Sequence, residues 1–346
     1  MYNCESQMTE GFTHFLKTVE ALSNVLSGMD PVRQEILGAF AKVKLRSRPL
    51  KLFHYTNFSG LSGILSSNNL RATDFRSLED TGELVYGTNF LVQELKSSNY
   101  TTIQGASTFQ NKLADFFADY GNVYRSLFDT YLISFSEEPD MANQWRKYAD
   151  RGRGYCIEFD FGDSRLCSVF NGAVPWIHET QSVVYDQESQ KKLVQEGLDQ
   201  LFIALKNKGW PPEKIIGASI MEQAVITGFL MHAFGPFSTA FKDSLFSEEN
   251  EWRSVVSCQK SQCENDRKQY DTRAGARVYL DSIFLQQDDE DLWQRPLLPI
   301  TTIYVGPLAD SKDEGNLLTA IKENGYANTT EIKKYTVSLD RSPWPG

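Results

Sequence analysis

Histidine and cysteine are scarce in this chain, at four and five of 346 residues. Cys4, Cys156, Cys167, Cys258 and Cys263 are odd in number and scattered, which fits reduced thiols rather than a disulfide framework. The Cys258/Cys263 pair lacks a second Cys or His pair at zinc spacing, so no metal is expected. No apolar run is long enough to span a bilayer, and Met1-Tyr2-Asn3-Cys4-Glu5 does not lead from basic residues into an apolar segment. These absences predict a cytoplasmic protein with no membrane partner. Also missing are a Walker loop, G-x-G-x-x-G, H-E-x-x-H and G-x-S-x-G, which removes the simplest routes to nucleotide hydrolysis, dinucleotide folds, zinc proteolysis and serine esterase chemistry. What is present is the make-up of a folded protein: 41% hydrophobic residues, 22 Phe and 15 Tyr. Thirty-five basic against 45 acidic residues leave a net charge of −10, which opposes non-specific binding to nucleic acid or anionic lipid while leaving room for a local basic groove.

Apolar residues at helical spacing from Phe12 to Leu26, and Asp30-Pro31 opening a second helix, predict a helical N-terminal extension over residues 1–48. It ends in Lys42-Val43-Lys44-Leu45-Arg46-Ser47-Arg48, an alternating basic run that suits either a nucleic-acid contact or, more plainly, a solvated linker. Residues 49–346 read as one mixed domain. Strands are predicted at 50–55, 70–73, 131–136, 154–159, 301–305 and 334–337, and helices at 59–66, 143–148, 188–206 and 218–234. Without regular βαβ alternation or an internal repeat, the fold class is α+β.

Three clusters carry chemistry. His54 stands in a strand beside Tyr55 and Thr56, ahead of a turn into a helix. Ser134 and Ser136 alternate onto one face of the strand at 131–136. Trp145 and Tyr148, three apart on the following helix, share a face and form an aromatic wall, for a flat ligand or for the core. Glu249-x-Glu251-Trp252-Arg253 concentrates carboxylates that raise one another's pKa unless a cation compensates.

Taken in order, Phe53-His54-Tyr55-Thr56, Leu78-Glu79-Asp80-Thr81-Gly82-Glu83 with Tyr86-Gly87, Ile133-Ser134-Phe135-Ser136, residues 145–154, Glu249-x-Glu251-Trp252-Arg253 and Tyr304-Val305-Gly306-Pro307 resemble the bacterial DUF2971 family over about residues 50–340. That family is similar to a divergent branch of the ADP-ribosyltransferase fold. The resemblance implies a split β-sheet with flanking helices that takes NAD as substrate. It implies that His54, with Tyr55 and Thr56, holds a ribose of NAD. By the same resemblance, Tyr148 would stack on nicotinamide with Trp145 in support, Ser134 and Ser136 would occupy the serine-strand position, and Glu251 would be the catalytic glutamate with Glu249 the first acid of the pair. Asp80 and Glu83 belong to the family pattern without an assigned role.

The implied function is an NAD-dependent ADP-ribosyltransferase of toxin or phage-defence type. It would act on a macromolecular acceptor, RNA, DNA or protein, and be held in check by an antitoxin or regulatory partner. Lys42, Lys44, Arg46, Arg48, Arg146, Lys147, Arg151 and Arg153 offer contacts to a nucleic acid, and the acidic balance suits a protein acceptor equally. An NAD glycohydrolase would use the same residues with water as acceptor. A non-catalytic nucleotide- or partner-binding module and a metal-dependent nuclease on Asp74, Asp80, Glu83 and His54 are the readings from other classes.

Overall fold

The structure, a computed structural model, describes residues 28–40, 43, 46–77, 83–97, 103–162, 167–169, 176–259, 267–272, 275–285 and 297–334. Cys4, Asp80, Cys263, Lys42, Lys44, the helix expected over 12–26 and, apart from Lys334, the strand expected at 334–337 lie outside these residues. The chain divides into two compact units whose segments interleave. The first combines the N-terminal segment with residues 85–122 and 186–241, and the second holds residues 46–84, 123–185 and 242–346. The chain first passes from one unit to the other between Leu45 and Arg46, and residues 85–122 and 186–241 group with the N-terminal segment.

The first unit is helical. It contains α1 (28–40), α3 (Glu83–Ser97), most of α4 (Ala106–Leu127), α6 (Gln187–Asn207), α7 (Pro212–Ile216) and α8 (Ile220–Ala240). Asp186 caps α6 by accepting from Ser189 N at 2.8 Å, and Ser219 with Glu222 forms a capping box on α8. The core is aromatic: Phe40 meets Phe234 edge-on at 4.7 Å, and Phe237 stacks on Phe241 at 5.6 Å. Gly87 permits the approach of α3 to α8, since a Cβ there would lie 2.2 Å from Ser238 O.

The second unit holds β1 (Lys51–Thr56), α2 (Phe58–Ser67), β2 (Leu70–Asp74), β3 (Phe128–Ser136), α5 (Ala142–Tyr148), β4 (Tyr155–Asp160), β5 (Cys167–Val169), β6 (Trp176–Ser182), β7 (Glu251–Gln259), β8 (Lys268–Thr272), β9 (Gly275–Leu285), β10 (Ile300–Val305), α9 (Ser311–Glu323) and β11 (Glu331–Lys334). The strands form one mixed sheet, antiparallel except for the β10/β11 pair. β7 lines one edge of β3 from Phe128↔Gln259 to Ser136↔Glu251. The opposite edge of β3 is shared. β1 meets it at Phe53↔Ser136, and β2 meets it at Thr73↔Leu132 and Asp74↔Tyr131. The sheet therefore forks along Ile133–Phe135. The predicted α+β class agrees with this architecture, as do the strands predicted at 50–55, 70–73, 131–136, 154–159 and 301–305.

One face of the sheet buries Leu52, Tyr131, Ile133, Phe135, Ile157, Trp252 and Val256 under α2 and α9. The other buries Phe53, Tyr55, Cys156 and Tyr304 against Trp145 and Ala149. Buried Glu158 on β4 ties the near branch of the fork together by accepting from Lys51 of β1 (2.5 Å), Thr301 (2.7 Å) and Tyr304 (2.6 Å). Burial pushes its carboxyl up, and the bonds from Lys51, Tyr304 and Thr301 reverse the shift and hold it below the usual range. Among the described residues, no helix is long and apolar enough to cross a membrane.

Candidate functional site

Antiparallel register decides which candidate residues meet. Ser134 lies opposite Arg253 and Ser136 opposite Glu251, so these four project from the same face of β3 and β7. Glu249 precedes the strand, at the end of the 3₁₀ turn Ser244–Glu249, and Asn250 links the two acids with a left-handed backbone (φ 47°). The pair is thus formed by a turn and a strand end rather than by strand alternation alone.

Both carboxylates are buried and ion-paired. Arg253 grips Glu251 in bidentate fashion, Nε to Oε1 at 2.8 Å and Nη2 to Oε2 at 2.7 Å. Lys242 Nζ bridges the acids, 2.5 Å from Glu249 Oε2 and 3.2 Å from Glu251 Oε2. Lys147 Nζ from α5 donates to Glu249 Oε1 at 2.9 Å. Burial would push the Glu251 carboxyl up. The charges of Arg253 and Lys242, with hydrogen bonds from Arg253 and Ser134, overcome that and hold it at about 2. The Tyr185 hydroxyl accepts from Glu251 N at 3.0 Å and fixes the strand end. Lys242 and Tyr185 were not singled out by sequence. Each lies more than five residues from Glu251, and nothing local signals the contact.

α5 is fastened to this site through its own side chains. Asn143 Nδ2 donates to Glu248 O (3.0 Å) and Gln144 Nε2 to Glu249 O (3.3 Å). Between them lies a cleft of about 460 Å³ lined by Met141, Ala142, Asn143, Ser247, Glu248 and Asn250. Ser136 Oγ donates to Met141 Sδ at 3.0 Å beneath it.

The remaining expected residues fall elsewhere. His54 sits on the face opposite Glu251, edge-on to Phe135 at 6.1 Å. Its Nδ1 donates to Ser134 O at 3.0 Å, filling the fork where that carbonyl has no strand partner. Burial lowers its pKa against the opposing effect of the Ser134 bond. The two faces meet at Ser134, whose carbonyl serves His54 and whose hydroxyl serves Glu251. Thr56, two residues on, shares the face of His54.

Tyr55 and Trp145 belong to the core rather than to a ligand wall. The Tyr55 hydroxyl donates to Glu138 O (2.8 Å) and accepts from Met141 N (2.9 Å). Trp145 is 1% exposed, packs edge-on to Tyr55 at 5.0 Å and donates Nε1 to Asp140 Oδ1. Tyr148, at the last turn of the short helix, is 46% exposed, so the pair does not form a shared wall. Asp74 is buried with Asp129, and both are paired to Arg76 and Arg267. Among the described residues, no group of three His, Cys, Asp or Glu side chains is arranged to hold a metal ion. Glu83 is the first residue of α3.

Residues 144–254 match a family described as "Protein of unknown function (DUF2971)". This is narrower than the range over which the ordered motifs resemble that family. It includes Lys147, Lys242, Glu249, Glu251 and Arg253 but neither His54 nor Ser134. No curated protein and no solved structure matches the chain.

Proposed function

We propose that the chain is an NAD-dependent ADP-ribosyltransferase, with Glu251 the carboxylate beside the reacting ribose and NAD held on the face of β3 and β7 that carries Ser134, Ser136 and Glu251. The observation that carries this reading is the register that sets Ser134 opposite Arg253 and Ser136 opposite Glu251 on one face of adjacent strands, with Glu249 two residues upstream. A forked sheet with a serine strand against a glutamate pair is what the family resemblance implies, although the match itself names no activity.

The chemistry suits these groups. As the bond between nicotinamide and ribose breaks, its electron pair leaves with nicotinamide and positive charge develops on the sugar. A fixed, ionised carboxylate stabilises that charge. The acceptor's lone pair then attacks the anomeric carbon, and Glu249 takes the acceptor proton, a role worth about 10² to 10⁴-fold. Three cations surround two carboxylates, so the cluster does not repel the diphosphate of NAD. Reaching Oε2 of Glu251 requires the ribose hydroxyl to displace Lys242 from that oxygen, with Lys242 keeping its 2.5 Å contact to Glu249. Arg253 retains the carboxylate meanwhile.

The saturation of both Glu251 oxygens by cations favours a second reading, a nucleotide-binding module without turnover. Incubation with labelled NAD and cell lysate separates the two. Wild type is compared with Ser134→Ala and with Glu251→Gln, each checked for fold by circular dichroism. Label on a macromolecule with wild type alone supports transfer, and free ADP-ribose alone makes the protein a glycohydrolase. NAD bound but not consumed leaves the module. Neither binding nor consumption overturns both.

A further inference from the structure

The chain leaves α5 through a turn of unusual backbone. Asp150 (φ 45°), Arg151 (φ 55°, ψ 38°) and Gly152 (φ 90°) are left-handed in succession. Only glycine adopts this region without crowding its Cβ, and a run of such residues persists where the surroundings enforce it. The enforcement is visible. Gly152 N and Gly154 N both donate to Ala149 O (3.0 and 2.8 Å), while Gly306 N and Leu308 N donate to Gly154 O and Gly152 O (2.9 Å each). A Cβ on Gly154 would lie 2.4 Å from Thr56 O, and one on Gly306 would lie 2.3 Å from Gly152 O. The turn is locked from two sides, and Arg151 rather than glycine stands at its left-handed centre.

Nothing inside the described residues accounts for that arginine. Arg151 is exposed and, among the described residues, pairs with no carboxylate, and the same is true of Arg146. Arg153 feels Asp310 across the neighbouring loop. The other basic run behaves differently, with Arg46 pairing Glu137 at 2.7 Å and Arg48 lying over the Phe161 ring at 5.2 Å. Residues 146–153 carry four cations and one carboxylate, a net +3 in a chain of −10. The half-exposed ring of Tyr148 lies within the same stretch.

We infer that the end of α5 and the turn after it form a phosphate-binding surface for single-stranded nucleic acid, and that nucleic acid is the acceptor class of the site beside it. The second half rests on the transferase reading above. Guanidinium groups on a rigid backbone match phosphate geometry, and an exposed aromatic ring stacks on unpaired bases. The repulsive field of the rest of the chain confines contact to this patch. α5 also supplies Asn143, Gln144 and Lys147 to the Glu248–Glu249 turn, so a strand held here lies one helix from the carboxylates.

The test is fluorescence anisotropy with labelled single-stranded RNA and DNA of about 20 nucleotides, over a salt series, on the full chain and on the double variant Arg146→Gln/Arg151→Gly. Glycine keeps the left-handed turn, so fold loss does not confound the comparison. The expected result is at least a tenfold loss of affinity at low salt, with the slope of log K against log salt reduced by about 1.4 for two lost phosphate contacts. No binding by wild type, or equal binding by the variant, overturns the surface. Selective capture of acidic protein without nucleic-acid binding overturns it as well. NAD consumption and label transfer are read on the same samples. Label on the oligonucleotide supports the acceptor assignment. Nucleic-acid binding without any NAD consumption removes that assignment and the transferase reading while leaving the surface in place.

Discussion

Lys242 holds its ammonium 3.2 Å from Glu251 Oε2 with a side chain only 4% exposed, so two opposite charges face each other almost without solvent. Removing the Glu251 charge leaves two buried cations, Lys242 and Arg253, with one carboxylate fewer between them. Glu251→Gln is therefore expected to destabilise the protein by about 3 to 5 kcal/mol. The double variant Lys242→Met/Glu251→Gln should recover part of that loss, because removing one cation with the carboxylate restores the charge balance that Glu249 alone cannot supply to Lys242 and Arg253. Urea midpoints of the two single variants and the double variant measure the coupling. Additive losses would contradict a direct interaction.

Ser134→Ala removes the hydroxyl that helps hold the Glu251 carboxyl low from the facing strand, and leaves the His54 contact, which uses the Ser134 carbonyl, in place. The expected cost is about 1.5 to 3 kcal/mol of stability. NAD turnover should fall with retained fold. Thermal unfolding and an NAD-consumption assay give both values, and unchanged turnover would remove Ser134 from the site.

The sign of the pH response follows from Glu251. Its folded pKa of about 2 is below the unfolded value of about 4.3, so its stabilisation is fully present above the unfolded value and is lost as pH falls toward 2. The pKa difference corresponds to about 3 kcal/mol. His54 acts at higher pH. Its lowered folded pKa means that the unfolded chain takes up the proton first, so stability begins to fall below about pH 6.5. Acid titration followed by circular dichroism should show both phases, with the upper one absent in His54→Gln.

The strand and helix pattern was legible because it rests on local periodicity. Gln187–Asn207 and Ile220–Ala240 lie close to their predicted bounds, and the faces of Ser134, Ser136 and Glu251 follow from a period of two. What sequence could not supply was the partner of each face. His54 and Glu251 stand two strands apart on opposite sides of the sheet, and alternation within each strand carries no information on relative register. Trp145 and Tyr148 have the spacing of a shared helical face. On a seven-residue helix, however, the first packs under the sheet and the second reaches the open end. The interleaved units were illegible for the same reason, since residues 85–122 and 186–241 look like ordinary amphipathic helices wherever they pack.

Gly154→Ala tests the packing of the turn after α5. The added methyl would lie 2.4 Å from Thr56 O and 2.8 Å from Ala149 backbone atoms, none of which can move aside as a side-chain end could. A loss of about 3 kcal/mol is expected from this overpacking. A thermal melt within a degree or two of wild type would show that the β1 end and the turn are not in contact.

Arg151→Gly separates the stability of that turn from its use. The left-handed backbone at Arg151 disfavours an L side chain by about 1 to 2 kcal/mol, and glycine relieves this. Glycine also loses more freedom on folding, an offset of roughly 0.5 to 1 kcal/mol. The net expectation is a gain of up to about 1 kcal/mol, read as a rise in the thermal midpoint. Arg151→Ala keeps the strain, removes the same charge and should bring no such rise. Both variants should weaken binding of single-stranded nucleic acid to the same degree, because both remove the guanidinium. A glycine variant that is more stable yet binds less would mean that the arginine is kept at this position for what it touches outside the chain. A glycine variant that loses stability would instead assign Arg151 an intramolecular role.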